Sequence, residues 1–222
     1  MTTLTPDEAR VLGVLIEKSL TTPNQYPLSL NAVVDGANQK SNRDPVLNMT
    51  EDQVFDALES LRDKQLVVRV DQVGARVHKF KHAAVEVLHA RTAEVAILAE
   101  LLLRGPQTLG ELRGRASRMQ PMESLERVRD MIRALSERAE PYVKELPPAP
   151  GSRAERFVQL LCPDLHPLDA PAGTVTVATT DGNSLTDRVE KLEAEVESLK
   201  SAVSRLARAL GEPDPLAELR SE

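Results

Sequence analysis

Apolar residues recur at helical spacing in three places within the first 62 residues. Ala9, Leu12, Val14, Leu15 and Ile16 mark a first helix, which opens on a capping signal: Thr5, with Pro6 at the first helical position and Glu8 three residues on. This helix is predicted to end near Leu20, before a loop over Thr21 to Pro27 that holds two prolines. Leu28, Leu30 and Val33 carry the same spacing into a second helix over about 29–37. The segment Gly36 to Pro45 follows, polar throughout and without a large hydrophobic side chain. Thr50 then caps a third helix whose first turn holds Glu51 and Asp52 and whose inner face is Val54, Ala57, Leu58 and Leu61. Two β-rich runs, Leu66 to Val70 and Arg76 to Lys81 around Gly74, predict a hairpin that closes by about His82.

The pattern then repeats. Ala9, Val11, Leu12 and Leu15 are matched 86 positions later by Val95, Ile97, Leu98 and Leu101. Leu30, Val33 and Ala37 are matched after 79 positions by Leu109, Leu112 and Ala116, and Val54, Leu58 and Leu61 after 74 by Val128, Ile132 and Leu135. The shrinking offset means that the loops shorten while the three helices are kept. A second hairpin follows, Tyr142 to Leu146 and Glu155 to Leu161, its tip stiffened by Pro147, Pro148 and Pro150. Helix, polar loop, helix and hairpin is the plan of a winged-helix domain.

Residues 163–184 hold Pro163, Pro167 and Pro171 and no Lys or Arg, the composition of a flexible linker. From Leu185 the spacing becomes a strict heptad: Val189, Leu192, Val196, Leu199, Val203, Leu206 and Leu210 follow at alternating steps of three and four. Valines at a and leucines at d favour a parallel two-stranded coil, with Arg188 facing Glu193, and Glu195 facing Lys200, across the pair. Gly211 and Pro213 stop the helix. A coil of about 40 Å is marginal alone and needs another interface or its own chain to dock on. The expected fold is therefore mainly α with small β-hairpin wings (α+β). It comprises winged-helix domains over 1–91 and 92–162, the linker, a coiled-coil helix over 185–211 and a disordered tail over 212–222.

Composition narrows the function. Two Tyr, three Phe and no Trp leave an aliphatic core and few platforms on which unpaired bases stack, which counts against a single-strand binder. The lone Cys162 excludes an internal disulfide and a cysteine-based metal site. Met1 to Leu4 lack a secretory pattern and no apolar run is long enough for a membrane span, so a soluble, cytoplasmic protein is expected. The net charge of −6 sits in the tail: residues 1–91 carry 11 basic against 12 acidic side chains, residues 92–162 carry 11 against 10, and residues 163–222 carry 6 against 12.

Four stretches carry a family resemblance: Tyr26-Pro-Leu-Ser-Leu-Asn31, Asn38-Gln-Lys-Ser-Asn-Arg-Asp-Pro45, Gly74-Ala-Arg-Val-His-Lys-Phe80 and Leu101-Leu-Leu-Arg-Gly-Pro-Gln107. They resemble the bacterial YceH family, over about residues 5–162, with the polar loop as the most specific part. The resemblance implies tandem winged helices and brings no established activity. It also implies a cysteine in many relatives where Ala37 stands here, so no thiol role carries over, and it places the linker and heptads outside the shared region.

A winged helix reads duplex DNA by laying its third helix in the major groove. In the first repeat that helix exposes Asp52, Asp56, Glu59 and Asp63, one stripe of carboxylates that phosphates repel, which makes it a solvated face or a docking stripe for a basic partner. The second repeat gathers Arg113, Arg115, Arg129 and Arg133 around its second and third helices, suited to phosphate and guanine edges yet interleaved with Glu111, Glu126, Asp130 and Glu137. Arg76 and Lys79 on the first wing suit backbone contact. The polar loop offers Asn38, Gln39, Lys40, Asn42 and Arg43, denser than a turn requires, which favours a binding role with Lys40 and Arg43 at its centre. Its structural alternative is turn chemistry at Asn42 and Asp44 before Pro45, with buried amides tying the loop to its neighbours. Cys162 with His166, and His78 with His82, lack the further groups that a nucleophile or a metal needs, and no cofactor is expected. Two readings stand side by side: a dimeric, regulatory protein bound to double-stranded DNA, and a protein-interaction adaptor, both homodimers through Val189, Leu192, Val196, Leu199, Val203 and Leu206.

Overall fold

A computed structural model describes residues 3–71, 77–148 and 154–165. Arg76, residues 166–184 of the expected linker and the heptad residues lie outside the described residues, while Pro163–Leu165 form a 3-10 turn whose Leu165 packs on the core. The chain divides into a compact unit over Met1–Thr174 and a second over Val175–Glu222, and all of the described residues belong to the first.

This first unit mixes helices with two small antiparallel sheets, and the same element order occurs twice. The first repeat is α1 (Pro6–Thr21), β1 (Leu28–Ser29), α2 (Leu30–Ala37), α3 (Glu51–Asp63), β2 (Val67–Val70) and β3 (Lys79–His82). A short helix, α4 (Ala84–Val87), leads to the second repeat: α5 (Thr92–Arg104), β4 (Gln107–Thr108), α6 (Leu109–Ala116), α7 (Leu125–Ser136), β5 (Val143–Leu146) and β6 (Arg156–Gln159). The sheets run β1-β3-β2 and β4-β6-β5, and the registers correspond: Leu28 pairs with Phe80 as Gln107 pairs with Phe157. Every position matched by the sequence repeat is buried except Leu30 and Leu109, which are half-buried in both copies. Strands β1 and β4 and helix α4 escaped the pattern reading because two to four residues are too few to display a period.

Local chemistry sets the helix starts. Thr5 Oγ1 accepts the Glu8 N–H while Glu8 takes the Thr5 N–H at 2.7 Å, and Thr50 with Gln53 repeats the arrangement at α3. At the end of α1 the Thr21 and Thr22 hydroxyls donate back to Glu17 O and Lys18 O, and Pro23 stops the ladder. Thr108 with Glu111 caps α6.

Burial distinguishes the helices. α3 buries only Val54, Ala57, Leu58 and Leu61, and α7 only Val128, Met131, Ile132 and Leu135, each a single stripe over its own repeat. Helix α1 is buried continuously from Glu8 to Glu17 and α5 from Glu94 to Leu103. A helix covered on all sides must be core to more than one layer. Helices α1 and α5 pack against each other, and α1 also contacts α2, α3 and β3 on its other sides. A Cβ on Gly13 would lie 2.9 Å from Leu103 Cγ and Cδ2, so the missing side chain sets how closely these helices approach. Leu4 N–H donates to Leu161 O at 2.7 Å, tying the start of the first repeat to the end of the second. Among the described residues, no helix is long and apolar enough to cross a membrane.

Candidate functional site

The polar loop between α2 and α3 folds inward at Arg43. Arg43 is 6% exposed and spends its guanidinium inside the fold: Nε donates to Gly36 O at 3.0 Å, Nη1 to Asn42 O at 2.8 Å and Glu17 Oε1 at 3.2 Å, and Nη2 to Glu17 Oε2 at 2.5 Å. The expectation that Arg43 greets a partner is corrected here, because the side chain is buried and four of its five N–H donors are spent inside the fold. From Glu17 the network crosses to the second repeat. Arg118, just after α6, donates to Glu17 Oε1 at 2.5 Å and to Glu100 Oε2 at 2.9 Å, and Glu100 Oε1 lies 3.2 Å from Arg104 Nε. Arg104 Nη2 then donates to Asn42 Oδ1, and the Asp44 N–H donates to Leu103 O at the end of α5, at 2.8 Å. Asn42 sits at φ 60°, the left-handed conformation that Asn tolerates among non-glycine residues.

The remaining loop residues divide. Asn38 is spent on Met49, donating to its carbonyl at 2.8 Å and accepting its N–H at 2.6 Å, which closes the loop like a rung of sheet. Gln39 accepts from Lys18 Nζ at 3.3 Å and donates to Ser41 Oγ at 3.1 Å. Lys40 is exposed. Thus the structural alternative accounts for Asn38, Asn42 and Arg43, while Lys40 alone retains the free charge of a contact residue.

Electrostatics follow from this burial. Desolvation alone would raise the Glu17 carboxyl, but the Arg43 hydrogen bonds and charge, joined by Arg118, outweigh it and hold the group below the usual carboxylate range. Arg10, fully buried on α1 about two turns before Glu17, has no carboxylate of its own. Nη1 donates to Ala37 O at 3.2 Å and Nη2 to Pro45 O at 2.5 Å, while Nε has no partner. Burial, followed by the repulsion of Arg43, pushes its guanidinium down to about 10.

The arginines of the second repeat have unequal freedom. Arg113 donates to the carbonyls of Met122 and Glu123, each at 3.3 Å, and so holds the α6–α7 loop. Arg115 donates to Gln107 Oε1 at 2.9 Å and pairs with Glu111 at 3.2 Å. Arg127 and Arg129 are exposed on α7 with no ion pair among the described residues, and Arg133 has only the exposed Asp130 at 3.8 Å. On α3, Asp52, Asp56 and Asp63 are exposed, Glu59 is paired with Arg62, and Phe55 stands in the middle of the stripe at 44% exposure. Lys79 is half-buried on β3.

No reactive pair emerges from the histidines. His82 Nδ1 accepts the Ala84 N–H at 3.3 Å, so its proton sits on Nε2 and points at Ser19 Oγ, 3.0 Å away, while the Ser19 hydroxyl donates to Ile16 O. The imidazole therefore acts as donor to that serine, the reverse of a base drawing its proton. His78 instead contacts Asp71 at 2.6 Å, and no group of three metal-ligating side chains occurs among the described residues.

These features define a two-repeat α+β protein whose polar loop is built into the seam between the repeats. The family model described as a protein of unknown function, DUF480, matches residues 4–152, and the chain belongs to this family, UPF0502, which includes proteins named YceH. It is 48% identical over 197 residues to a UPF0502 protein of Koribacter versatilis, covering 88% of this chain and 90% of that one. It is 52% identical over 158 residues to a UPF0502 protein of Geotalea daltonii, covering 71% and 72%. With the UPF0502 protein YceH of Salmonella paratyphi A it shares 42% identity over 214 residues, covering 94% and 98%. A match over 94% of the chain cannot end at residue 162, so the shared region extends into the linker and heptads, beyond the limit that the motifs implied.

Proposed function

We propose that each repeat is a winged helix and that the chain is a non-enzymatic protein that contacts double-stranded DNA through its second repeat. The observation that carries this reading is the contrast between two equivalent helices. Where α3 presents Phe55 and Glu59, α7 presents Arg129 and Arg133, and Arg127 and Arg129 have no ion pair among the described residues. Guanidiniums without a local carboxylate lose nothing when they turn to phosphate, and the exposed Arg133–Asp130 pair, worth well under about 1 kcal/mol, yields easily. Lys40 and Lys79 add backbone-contact charge on the first repeat.

The test is fluorescence anisotropy on a duplex of about 25 base pairs, with salt raised from about 50 to 200 mM. Binding is expected to fall steeply with salt, and Arg129→Ala with Arg133→Ala to weaken it for all sequences while lowering the log–log salt slope by about 2. Absence of binding at low salt, or a double variant matching wild type, refutes the reading.

Phe55 favours the second reading, an adaptor that docks a basic partner on α3. An aromatic exposed among Asp52, Asp56 and Glu59 offers a cation both a ring face and a carboxylate. Asp56→Lys combined with Phe55→Ala is expected to lose any partner that co-purifies with wild type in the presence of nuclease; equal recovery removes this reading.

A further inference from the structure

Strand β2 is the edge of its sheet, and among the described residues nothing pairs with its outer side. The pleat decides which backbone groups face that open side. Ala83 N–H donates to Leu66 O at 2.8 Å, and the same register pairs Val68 with Lys81 and Val70 with Lys79. Leu66, Val68 and Val70 therefore direct their backbone groups at β3, and Val67, Arg69 and Asp71 turn theirs outward. A groove of about 550 Å³ runs beside them, bounded by Arg62, Asp63 and Gln65 at the end of α3.

The equivalent edge of the second repeat is guarded. There β5 exposes Lys144 and Glu145, side chains of the kind that keep a sheet edge from recruiting another strand. The matching positions of β2 are Val68, 41% exposed, and Arg69. The guard of the two edges thus differs at one position, where β2 sets an exposed valine in place of the lysine of β5.

We propose that β2 pairs antiparallel with β2 of a second copy, centred on Val70. That register alone satisfies three conditions together. It sets Arg69 opposite Asp71 of the second copy, twice, because Arg69-Val70-Asp71 reads as opposite charges about its middle residue. It makes Arg69 and Asp71 the hydrogen-bonded pairs, which are the residues whose backbone groups already face outward. It brings Val70 against Val70 of the second copy at the close, non-hydrogen-bonded spacing on the other face of the sheet, next to the exposed Val68. In each chain Arg69 Nε now lies 3.4 Å from its own Asp71, so both charges are already on one face of the strand. The two-fold operation closes the assembly at two copies. An edge of this length makes a concentration-dependent dimer. The pairing is independent of whether the protein contacts DNA.

The experiment is analytical ultracentrifugation of the full chain, wild type, Arg69→Asp, Asp71→Arg and the two changes combined, with far-UV circular dichroism as the check on folding. Each single reversal places like charges opposite each other at both crossings and is expected to weaken the dimer tenfold or more. The combined variant restores it. An equimolar mixture of the two single variants is expected to form a heterodimer tighter than either homodimer, a result that changes within one chain cannot produce. Wild type that stays monomeric at about 200 µM, single variants that dimerise as wild type does, or a mixture that gains nothing overturns the proposal.

Discussion

Replacing Arg43 by Met tests the buried seam directly. The side chain keeps an unbranched apolar stem and loses the fork that gives Glu17 two hydrogen bonds, at 3.2 and 2.5 Å, and caps the carbonyls of Gly36 and Asn42. Among the described residues Glu17 is then left with Arg118 as its charged hydrogen-bond donor and with Lys18 at 3.9 Å, in a site where its side chain is 1% exposed. Breaking one partner of a buried ion pair costs about 3–5 kcal/mol, because the remaining charge stays desolvated. Urea titrations followed by far-UV circular dichroism at pH 7 are expected to report a loss in that range, with an unchanged m-value. The pH dependence supplies a second signature. In wild type the depressed Glu17 carboxyl contributes stability that is complete above its unfolded value and is lost as pH falls through the folded value. In the variant, desolvation is no longer outweighed and the folded value rises, so that acid relieves the strain. The gap between wild type and variant should therefore narrow between pH 7 and pH 4. Adding Glu17→Gln to Arg43→Met should recover part of the loss, with a coupling of about 2 kcal/mol or more. A loss below about 1 kcal/mol, a gap that does not change with pH, or strict additivity refutes the assignment of Arg43 to the seam.

Two further outcomes follow from the packing. A Cβ on Gly36 would lie 2.6 Å from Val14 Cγ1, so Gly36→Ala is expected to cost about 1–3 kcal/mol, whereas Gly114→Ala on α6, with nothing within 4 Å, should gain about 0.5–1 kcal/mol from helix propensity; equal effects in thermal unfolding would refute the close approach of α1 and α2. Asn38→Ala removes both bonds to Met49 and should cost about 1–3 kcal/mol by denaturant titration, and a neutral result would return the loop to solvent.

Helix starts, hairpins and the duplication were legible because they are local. The capping boxes at Thr5 and Thr50 and the aliphatic periods required no partner from elsewhere in the chain. The seam was not legible, since Arg10, Glu17, Glu100 and Arg118 look like ordinary helix charges until α1 and α5 meet. Glu17 finds Arg43 26 positions on and Arg118 101 positions on, separations that no periodic pattern encodes. Two signals were nonetheless present. Gly13 in the middle of a helix carries a cost of about 1 kcal/mol relative to alanine, which marks a close approach. Glu100 interrupts a run, Val95 to Leu103, that is apolar on every face and therefore has to be paired where it is buried. The polar loop was recognised as the most specific stretch, and its density of amides and guanidinium is explained by what it closes over.

The asymmetry between α1 and α5 records what became of the duplication. At the offset that aligns their cores, Arg10 meets Ala96, Gly13 meets Ala99 and Glu17 meets Leu103. Helix α1 carries a buried arginine, a notch and a buried acid where α5 carries alanine, alanine and leucine, while α5 places its own buried acid at Glu100, which shares Arg118 with Glu17. A cut between the repeats would thus leave Glu17 with Arg43 in one half and Glu100 with Arg118 and Arg104 in the other, and would break, among these ion pairs, only the Arg118 bridge between the two acids. Each half would then turn toward water the helix that the other half now covers.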